Sequence, residues 1–167
     1  RDTFYYHFKS MDDLVDRVIE SEILGNGSIL QNMLSLIAGP STANGFETFI
    51  KQDMERIALL IKQGGMDSFS IKIKRLMFGT WKAILCDKGE ELSPSARMII
   101  EYSTSGVIGI IAYGALHESG EVPPDFFLSF AKNNSDFLVR QIGIAQGIPH
   151  EAVLERVHAT LRTAGMS

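Results

Sequence analysis

Apolar residues recur along this chain at the spacing of an α-helix, in segments that glycine and proline separate. The stripe formed by Leu14, Val15, Val18, Ile19 and Ile23 is typical, since these positions share one face of a helix. No stretch alternates apolar and polar residues with the period of two that marks a strand. The pattern predicts an all-α protein with six helices, roughly 11–38, 46–63, 68–87, 94–118, 124–146 and 149–164, preceded by the last turns of a truncated helix.

Glycine and proline mark the expected ends of these helices. Glycine is favoured just beyond a helix end, because it enters the left-handed region without a Cβ clash. Proline is tolerated in the first turn, where its missing N–H has no helical acceptor. The sequence therefore predicts helix ends at Gly39, Gly64-Gly65, Gly89, Gly120, Gly147 and Gly165, and helix starts near Pro94, Pro124 and Pro149.

The segment 94–118 is apolar in nearly every direction around its axis. A helix of this kind is normally enclosed by other helices, so we expect it at the centre of the fold. Ser105, Gly109 and Ala112 lie on one side, where a neighbouring helix or a ligand can approach closely. Glu101 is a charged residue inside this apolar helix. It could orient a polar ligand, pair with a lysine or arginine, or face solvent.

The composition is that of a soluble globular protein with room for one substantial domain. The 167 residues are 45% hydrophobic and 22% charged, which argues against a disordered chain. The net charge of −4 is not typical of a free-standing nucleic-acid binder, because neutralising phosphates needs a surplus of lysine and arginine. The single cysteine, Cys86, cannot form an internal disulfide and fits a cytoplasmic protein. The most lipid-like run, 106–116, is too short to span a bilayer, so we expect no membrane segment.

The most specific motif lies in residues 1–14, which read RDTFYYHFKSMDDL. In this segment Tyr5-x-His7-Phe8 precedes Ser10-Met-Asp-Asp13, a capping-box-like start for the first long helix. The motif resembles the signature that closes the helix-turn-helix of TetR/AcrR-family transcriptional regulators, in which the aromatic segment ends the recognition helix. The resemblance implies that most of the DNA-reading head is missing before Arg1. It divides the chain into a head remnant (1–10), a linking helix (11–38) and a ligand-binding and dimerisation body (39–167).

The resemblance also implies DNA contacts for the remnant. Phe4 and Phe8, four residues apart, would form the inward face of its helix. The family commonly has a lysine where this chain has Met11, so Lys9 or the N–H groups of the following helix start would have to replace it. The alternative is an ordinary amphipathic terminal helix with exposed tyrosines. The implied DNA-binding residues are Arg1, Thr3, Tyr5, Tyr6, His7 and Lys9, and without the complete head we expect no specific DNA binding.

Gly25-Asn26-Gly27 interrupts the linking helix, either as a soft point or as a tolerated irregularity. The stretch Glu101–Gly106, the polar segment His117–Gly120 and Pro123 are similar to a branch of the family related to activators of dihydroxyacetone utilisation. A small-molecule effector is therefore expected beside helix 94–118, although plain core packing is the alternative for each candidate. The ligand-binding candidates are Phe78, Trp81, Tyr102, Tyr113 and His117, with Cys86, Met77 and Met98 as further possible walls.

The last two segments each carry an apolar face and are joined by the short link Gly147-Ile148, which predicts a helical hairpin. In the resembled family the last two long helices of each subunit meet their twins in a four-helix interface. The alternative is that both apolar faces pack on the chain's own core. The residues that the resemblance assigns to a homodimer interface are Phe130, Phe137, Leu154, Val157 and Leu161.

Motifs for catalysis and for metal binding are absent from the sequence. It contains no Gly-x-Ser-x-Gly, phosphate loop, dinucleotide fingerprint or His-Glu-x-x-His, so neither an enzyme nor a cofactor is expected. The histidines and Cys86 are scattered, which predicts no metal site. The leading hypothesis is a cytoplasmic, homodimeric TetR-type regulator that binds operator DNA and a small effector. The alternative is a helical ligand-binding or scaffold module that does not bind DNA.

Overall fold

A computed structural model describes residues 11–24, 28–38, 56–116 and 123–163, and within these ranges the chain is predominantly helical and has no strand. The all-α prediction is therefore confirmed. From residue 94 onward the helix bounds agree with the predicted ones to within two residues. In chain order the helices are α1 (Met11–Val18), α2 (Ser28–Ala38), α3 (Met66–Leu85), α4 (Pro94–Leu116), α5 (Pro124–Gln146) and α6 (His150–Thr163).

Two π-helical turns depart from the expected pattern. The sequence predicts a helix end at Gly64-Gly65, but the helical residues 56–60 continue through a π-helical turn, Ile61–Gly65, directly into α3. Gly65 has φ −80° and ψ 9°, so it does not adopt the left-handed conformation that ends a helix. That predicted end is wrong, because glycine permits a helix end without imposing one. A second π-helical turn, Ile19–Leu24, continues α1.

The turn between α5 and α6 has the geometry that its glycines predict. Gly147 has φ +67°, and its N–H donates to the carbonyls of Gly143 and Ile144. The N–H of Ile148 donates to the Gly143 carbonyl at 2.9 Å. A Cβ at Gly143 would lie 2.9 Å from the Ile148 carbonyl oxygen, so the tight return of the chain requires glycine there as well.

The core lies where α3, α4, α5 and α6 meet. Helix α4 packs against α3 and α5, α6 packs against α3 and α5, and α2 packs against α5 and α6. Each of these helices contributes at least one buried apolar side chain, and the largest fully buried ones are aromatic or β-branched. Representative members of this core are Leu34, Phe69, Trp81, Ile100, Ile142 and Val157.

Helix α4 is not enclosed as the sequence predicts. Its buried face contains Ile100, Ile108 and Ile111, whereas Met98 and Leu116 on the other side are exposed. The prediction is wrong because, among the described residues, α3, α5 and the π-helical turn Ile61–Gly65 pack against α4 along only part of its circumference. The exposed large apolar side chains of α4 are Met98, Tyr102, Tyr113 and Leu116.

Side chains secure two helix ends by hydrogen bonds. The Ser93 hydroxyl accepts the N–H of Ala96 at 3.1 Å, which caps α4, and donates to the Ala145 carbonyl at 2.9 Å near the end of α5. The Ser93 N–H also donates to the side-chain oxygen of Gln146 at 2.6 Å. Arg156 of α6 donates to the Leu85 carbonyl at 2.8 Å, at the end of α3. Both residues thereby tie one helix end to a second helix.

Replacing Ser93 tests whether this cap stabilises the α4–α5 junction. We expect Ser93→Ala to lower the free energy of unfolding by about 1–2 kcal/mol, because it removes both the cap and the bond to α5. Urea unfolding followed by circular dichroism measures the change. Ser95→Ala, at an exposed position two residues later, is the control and should cost less than about 0.5 kcal/mol. Equal losses for the two variants would contradict the assignment.

Candidate functional site

The outward side of α4 and α5 exposes a set of large apolar side chains. Its members are 41–73% exposed, which is unusual for residues of this size and type. Four lie on α4 along one helical stripe, and two lie on α5. We call this set the α4–α5 apolar face; it consists of Met98, Tyr102, Tyr113, Leu116, Phe126 and Phe137.

Ring contacts connect the two helices across this face. Tyr102 and Phe137 meet edge to face, with ring centroids 5.8 Å apart. Phe126 stacks on Phe130 at 6.3 Å within α5. The Phe130 ring in turn lies over Gly106 of α4, where an added Cβ would be 3.8 Å from it. These aromatic contacts make the exposed side chains of both helices one continuous surface.

The charge of Glu101 is neutralised at the border of this surface. Lys74 of α3 forms an ion pair with Glu101, and the Ser105 hydroxyl donates to the same carboxylate at 3.3 Å. Of the three roles left open for Glu101, pairing with a lysine is the one that the structure confirms. Glu101 is the only charged residue between Met98 and Leu116, so the α4 side of the apolar face carries no charge of its own.

The sequence-predicted interface residues occupy two different environments. Val157 and Leu161 are buried in the chain's own core, and Leu154 is half-buried against it. Such packing leaves these α6 side chains little surface for a partner. Phe137 is exposed and Phe130 is half-buried, and both contact other aromatic rings of α4 or α5. Of the predicted interface, the part that is exposed therefore lies on α5 rather than on α6.

The predicted ligand-binding residues do not line one enclosed cavity. Trp81 is completely buried and Phe78 is half-buried on α3, whereas Tyr102 and Tyr113 are 69% and 57% exposed on the outward side of α4. His117 lies outside the described residues, as do the six predicted DNA-binding residues in 1–10. The structure thus separates Trp81 and Phe78 from the two tyrosines.

Four buried polar side-chain atoms have no hydrogen-bond partner in the part of the chain that the structure describes. They are Trp81 Nε1, Ser103 Oγ, Thr104 Oγ1 and His150 Nδ1. Most buried polar atoms in folded proteins are paired, and a buried polar atom without a partner normally costs stability. Sequence reasoning did not single out Ser103 and Thr104, because short hydroxyl residues in a helix carry no signal of which face they occupy.

A shallow groove surrounds Cys86 at the loop between α3 and α4. It has a volume of about 320 Å³, and Gly79, Lys82 and Glu90 are among its lining residues. Burial, followed by the negative charges of Glu90 and Glu91, raises the pKa of the Cys86 thiol above its ordinary value. A hydrogen bond from the Lys82 ammonium lowers the pKa of the Glu91 carboxyl. The thiol is therefore a weak nucleophile at neutral pH.

Helix α1 and its π-helical continuation are anchored to the body. Ile19 is fully buried, and the neighbouring Glu20 forms an ion pair with Lys72 of α3. Helix α1 also packs against α3 and against the π-helical turn Ile61–Gly65. A movement of α3 would therefore act on the segment that follows residues 1–10.

Comparison with known proteins finds no family model, no curated protein and no solved structure that matches this chain.

Among the described residues, α4 is the one helix long and apolar enough to cross a membrane by length and composition alone. Within the same described ranges, no three histidine, cysteine, aspartate or glutamate side chains come together as a metal site would require.

Replacing Thr104 tests whether its unpaired hydroxyl destabilises the chain. We expect Thr104→Val, which keeps the shape of the side chain, to raise the free energy of unfolding by about 1 kcal/mol. Thr160→Val is the matched control, because the Thr160 hydroxyl donates to the Arg156 carbonyl at 2.9 Å and its removal should lower stability by about 0.5–1 kcal/mol. Urea unfolding of both variants measures the difference. A loss of stability in Thr104→Val would show that the hydroxyl is paired in solution.

The alkylation rate of Cys86 tests the electrostatics of the groove. Because the raised pKa keeps more of the thiol protonated, iodoacetamide should alkylate Cys86 more slowly at pH 8 than it alkylates a cysteine in a short unstructured peptide with blocked ends. Glu90→Gln removes a negative charge that disfavours the thiolate, so it should lower the pKa and increase the rate about two- to threefold. Glu151→Gln, an exposed change on α6, is the control. An unchanged rate in Glu90→Gln would show that the charge of Glu90 does not contribute to the raised pKa of Cys86.

Proposed function

We propose that this chain is the regulatory body of a TetR-type DNA-binding transcriptional regulator, which acts as a homodimer and responds to a small effector. The motif Tyr5-x-His7-Phe8, followed by the helix start at Ser10, carries the proposal. Support from the fold is that the residues after this motif, Met11–Val18, are helical and pack on the body. The proposed head would therefore be attached to a helix that senses the arrangement of α3.

The proposed mechanism transmits a change in the body through α1. An effector that binds two arrangements of the body unequally shifts the equilibrium between them. The buried Ile19 and the Glu20–Lys72 ion pair would carry this shift from α3 into α1. In a homodimer, the two α1 helices would then change the distance between the two heads. That distance determines the fit to DNA half-sites one helical turn apart.

The size of the α4–α5 apolar face supports the homodimer. Its six side chains are on average about 60% exposed, which corresponds to roughly 700 Å² at about 200 Å² per side chain. A stable interface buries about 800 Å² on each partner, whereas the largest patch of a typical monomer is about 300–600 Å². The proposed interface keeps Phe130 and Phe137 from the sequence prediction and uses α4 in place of α6.

The unpaired polar atoms in the interior support a small effector. Thr104, Ser103 and Trp81 each contribute a buried hydrogen-bonding atom without a partner in the described residues. A polar small molecule bound in the interior would pair with such atoms, and each hydrogen bond would remove the cost of a buried, unpaired polar group. Trp81 is the only tryptophan of the chain, so its fluorescence would report the binding of an effector.

The second candidate function is a helical ligand-binding or scaffold module without DNA binding. The unpaired interior atoms and the apolar face are compatible with it, since neither feature involves DNA. The two functions differ in what precedes Arg1. A basic helix-turn-helix encoded upstream of the Arg1 codon favours the regulator, and a different sequence there favours the module.

DNA binding by the chain joined to the upstream-encoded residues tests the regulator directly. We expect selection from random duplexes to enrich an inverted repeat with half-sites about 10 base pairs apart. Lys9→Ala should weaken binding to all sequences alike, because one phosphate contact is lost. For the same reason, the slope of the logarithm of the binding constant against the logarithm of the salt concentration should become smaller by about one. Lys88→Ala, in the exposed loop before α4, is the control and should bind normally. Enrichment of no sequence would favour the module.

A further inference from the structure

We infer that two copies of this chain meet at Gly109, where their α4 helices cross in antiparallel orientation, so that Tyr102 of one copy faces Leu116 of the other. The inference rests on the proposed homodimer and adds its geometry. Gly109 lies in the middle of the stripe that α4 contributes to the α4–α5 apolar face.

No neighbour among the described residues accounts for a glycine at position 109. A Cβ added there would have no heavy atom within 4 Å, so an alanine would fit without any adjustment. Glycine in the interior of a helix costs about 1 kcal/mol relative to alanine. Gly106 differs, because the ring of Phe130 already packs over it. A second helix that approaches Gly109 closely would explain why no side chain is present.

Large side chains flank Gly109 on this stripe in both directions along α4. Tyr102 precedes Gly109 by seven residues and Leu116 follows it by seven, which is about 10 Å of helix on either side. Nearer the centre, Ser105 precedes Gly109 by four residues and the exposed Tyr113 follows it by four, so an antiparallel crossing brings the small side chain of one copy against the ring of the other. In a two-fold symmetric dimer each contact between two residues occurs twice. An antiparallel crossing at Gly109 therefore packs Tyr102 against Leu116 at both ends.

The chemistry of the face favours a second copy over a lipid bilayer as its occupant. Helix α4 is long and apolar enough to cross a membrane, but its opposite face packs on α3 and α5. The ion pair between Glu101 and Lys74 lies at the border of the apolar face and would have to enter the lipid with it. The exposed area of the six side chains of the α4–α5 apolar face is roughly 700 Å², which is close to the area that one partner contributes to a stable dimer.

Gly79 provides a matched control. It is an exposed glycine within α3, and a Cβ added there would also have no heavy atom within 4 Å. Its surroundings differ, since it lines the groove that contains Lys82 and Glu90 rather than an apolar stripe. Changes at Gly79 and Gly109 therefore have the same expected effect on the isolated chain and different effects on the proposed dimer.

Disulfide crosslinking tests the crossing point. In a Cys86→Ser background, Gly109→Cys should form a disulfide with its own copy and give a non-reduced band at twice the 18.5 kDa mass of the chain. Gly79→Cys should remain at the single mass. The double variant Tyr102→Cys/Leu116→Cys should also crosslink. Its two cysteines are about 20 Å apart within one helix, so they can form a disulfide only between two copies. Each of these two changes alone should give no crosslink.

Analytical ultracentrifugation tests the same crossing point without introduced cysteines, because it measures the dimer dissociation constant. Gly109→Leu should raise the dimer dissociation constant at least tenfold, and Gly79→Leu should leave it unchanged. A dimeric chain in which Gly109→Cys fails to crosslink and Gly109→Leu has no effect would overturn the crossing point while leaving the proposed homodimer intact. A chain that stays monomeric at 100 μM would overturn both. Flotation with phosphatidylcholine–phosphatidylglycerol vesicles would identify the face as a membrane contact instead.

Discussion

The one-sided packing of α4 is the constraint on which the other properties of this molecule depend. Its buried face, centred on Ile100 and Ile108, is held by α3 and α5, and these contacts determine which residues of α4 remain at the surface. Because Ser93 caps α4 and bonds to the end of α5, the two helices are fixed at one end. The ring pair Tyr102–Phe137 then aligns their outer sides. An apolar surface follows from this arrangement, since Glu101 is the only charged residue of α4 between Met98 and Leu116 and it pairs with Lys74 at the border of the face.

The helical pattern and the turn residues could be predicted from sequence because their causes are local. Pro94, Pro124 and Gly147 act through their own backbone geometry, and the structure places each of them at a helix end. The enclosure of α4 and the helix end at Gly64-Gly65 were predicted wrongly for a different reason. Whether a helix is enclosed depends on how many neighbours the rest of the chain supplies. A glycine pair, likewise, ends a helix only where the following residues stop making helical hydrogen bonds.

Only part of the candidate site could be predicted from the sequence, and two of its aromatic residues show why. Trp81 and Tyr102 are both aromatic and lie near the same pair of helices, so composition alone suggests one pocket. The structure separates them because they lie on opposite sides of the buried face: Trp81 is inside the core and Tyr102 outside it. Which neighbours a helical side chain faces depends on how its helix is rotated against the adjacent helices. A single sequence does not reveal that rotation. The unpaired hydroxyl of Thr104 was not predicted for the same reason.

Two features of α4 destabilise the isolated chain, and they lie on opposite faces of the helix. Gly109 weakens the helix on its exposed side, and Thr104 leaves a hydroxyl without a partner on its buried side. Functional sites are one place where proteins retain local costs of this kind. If the proposals hold, a second copy offsets the first cost and an effector the second. The two sites then share one rigid helix, so a small rotation of α4 that accommodates an effector at Thr104 must also change the crossing at Gly109. Such a rotation would couple effector binding to the dimer without any contact between the two sites.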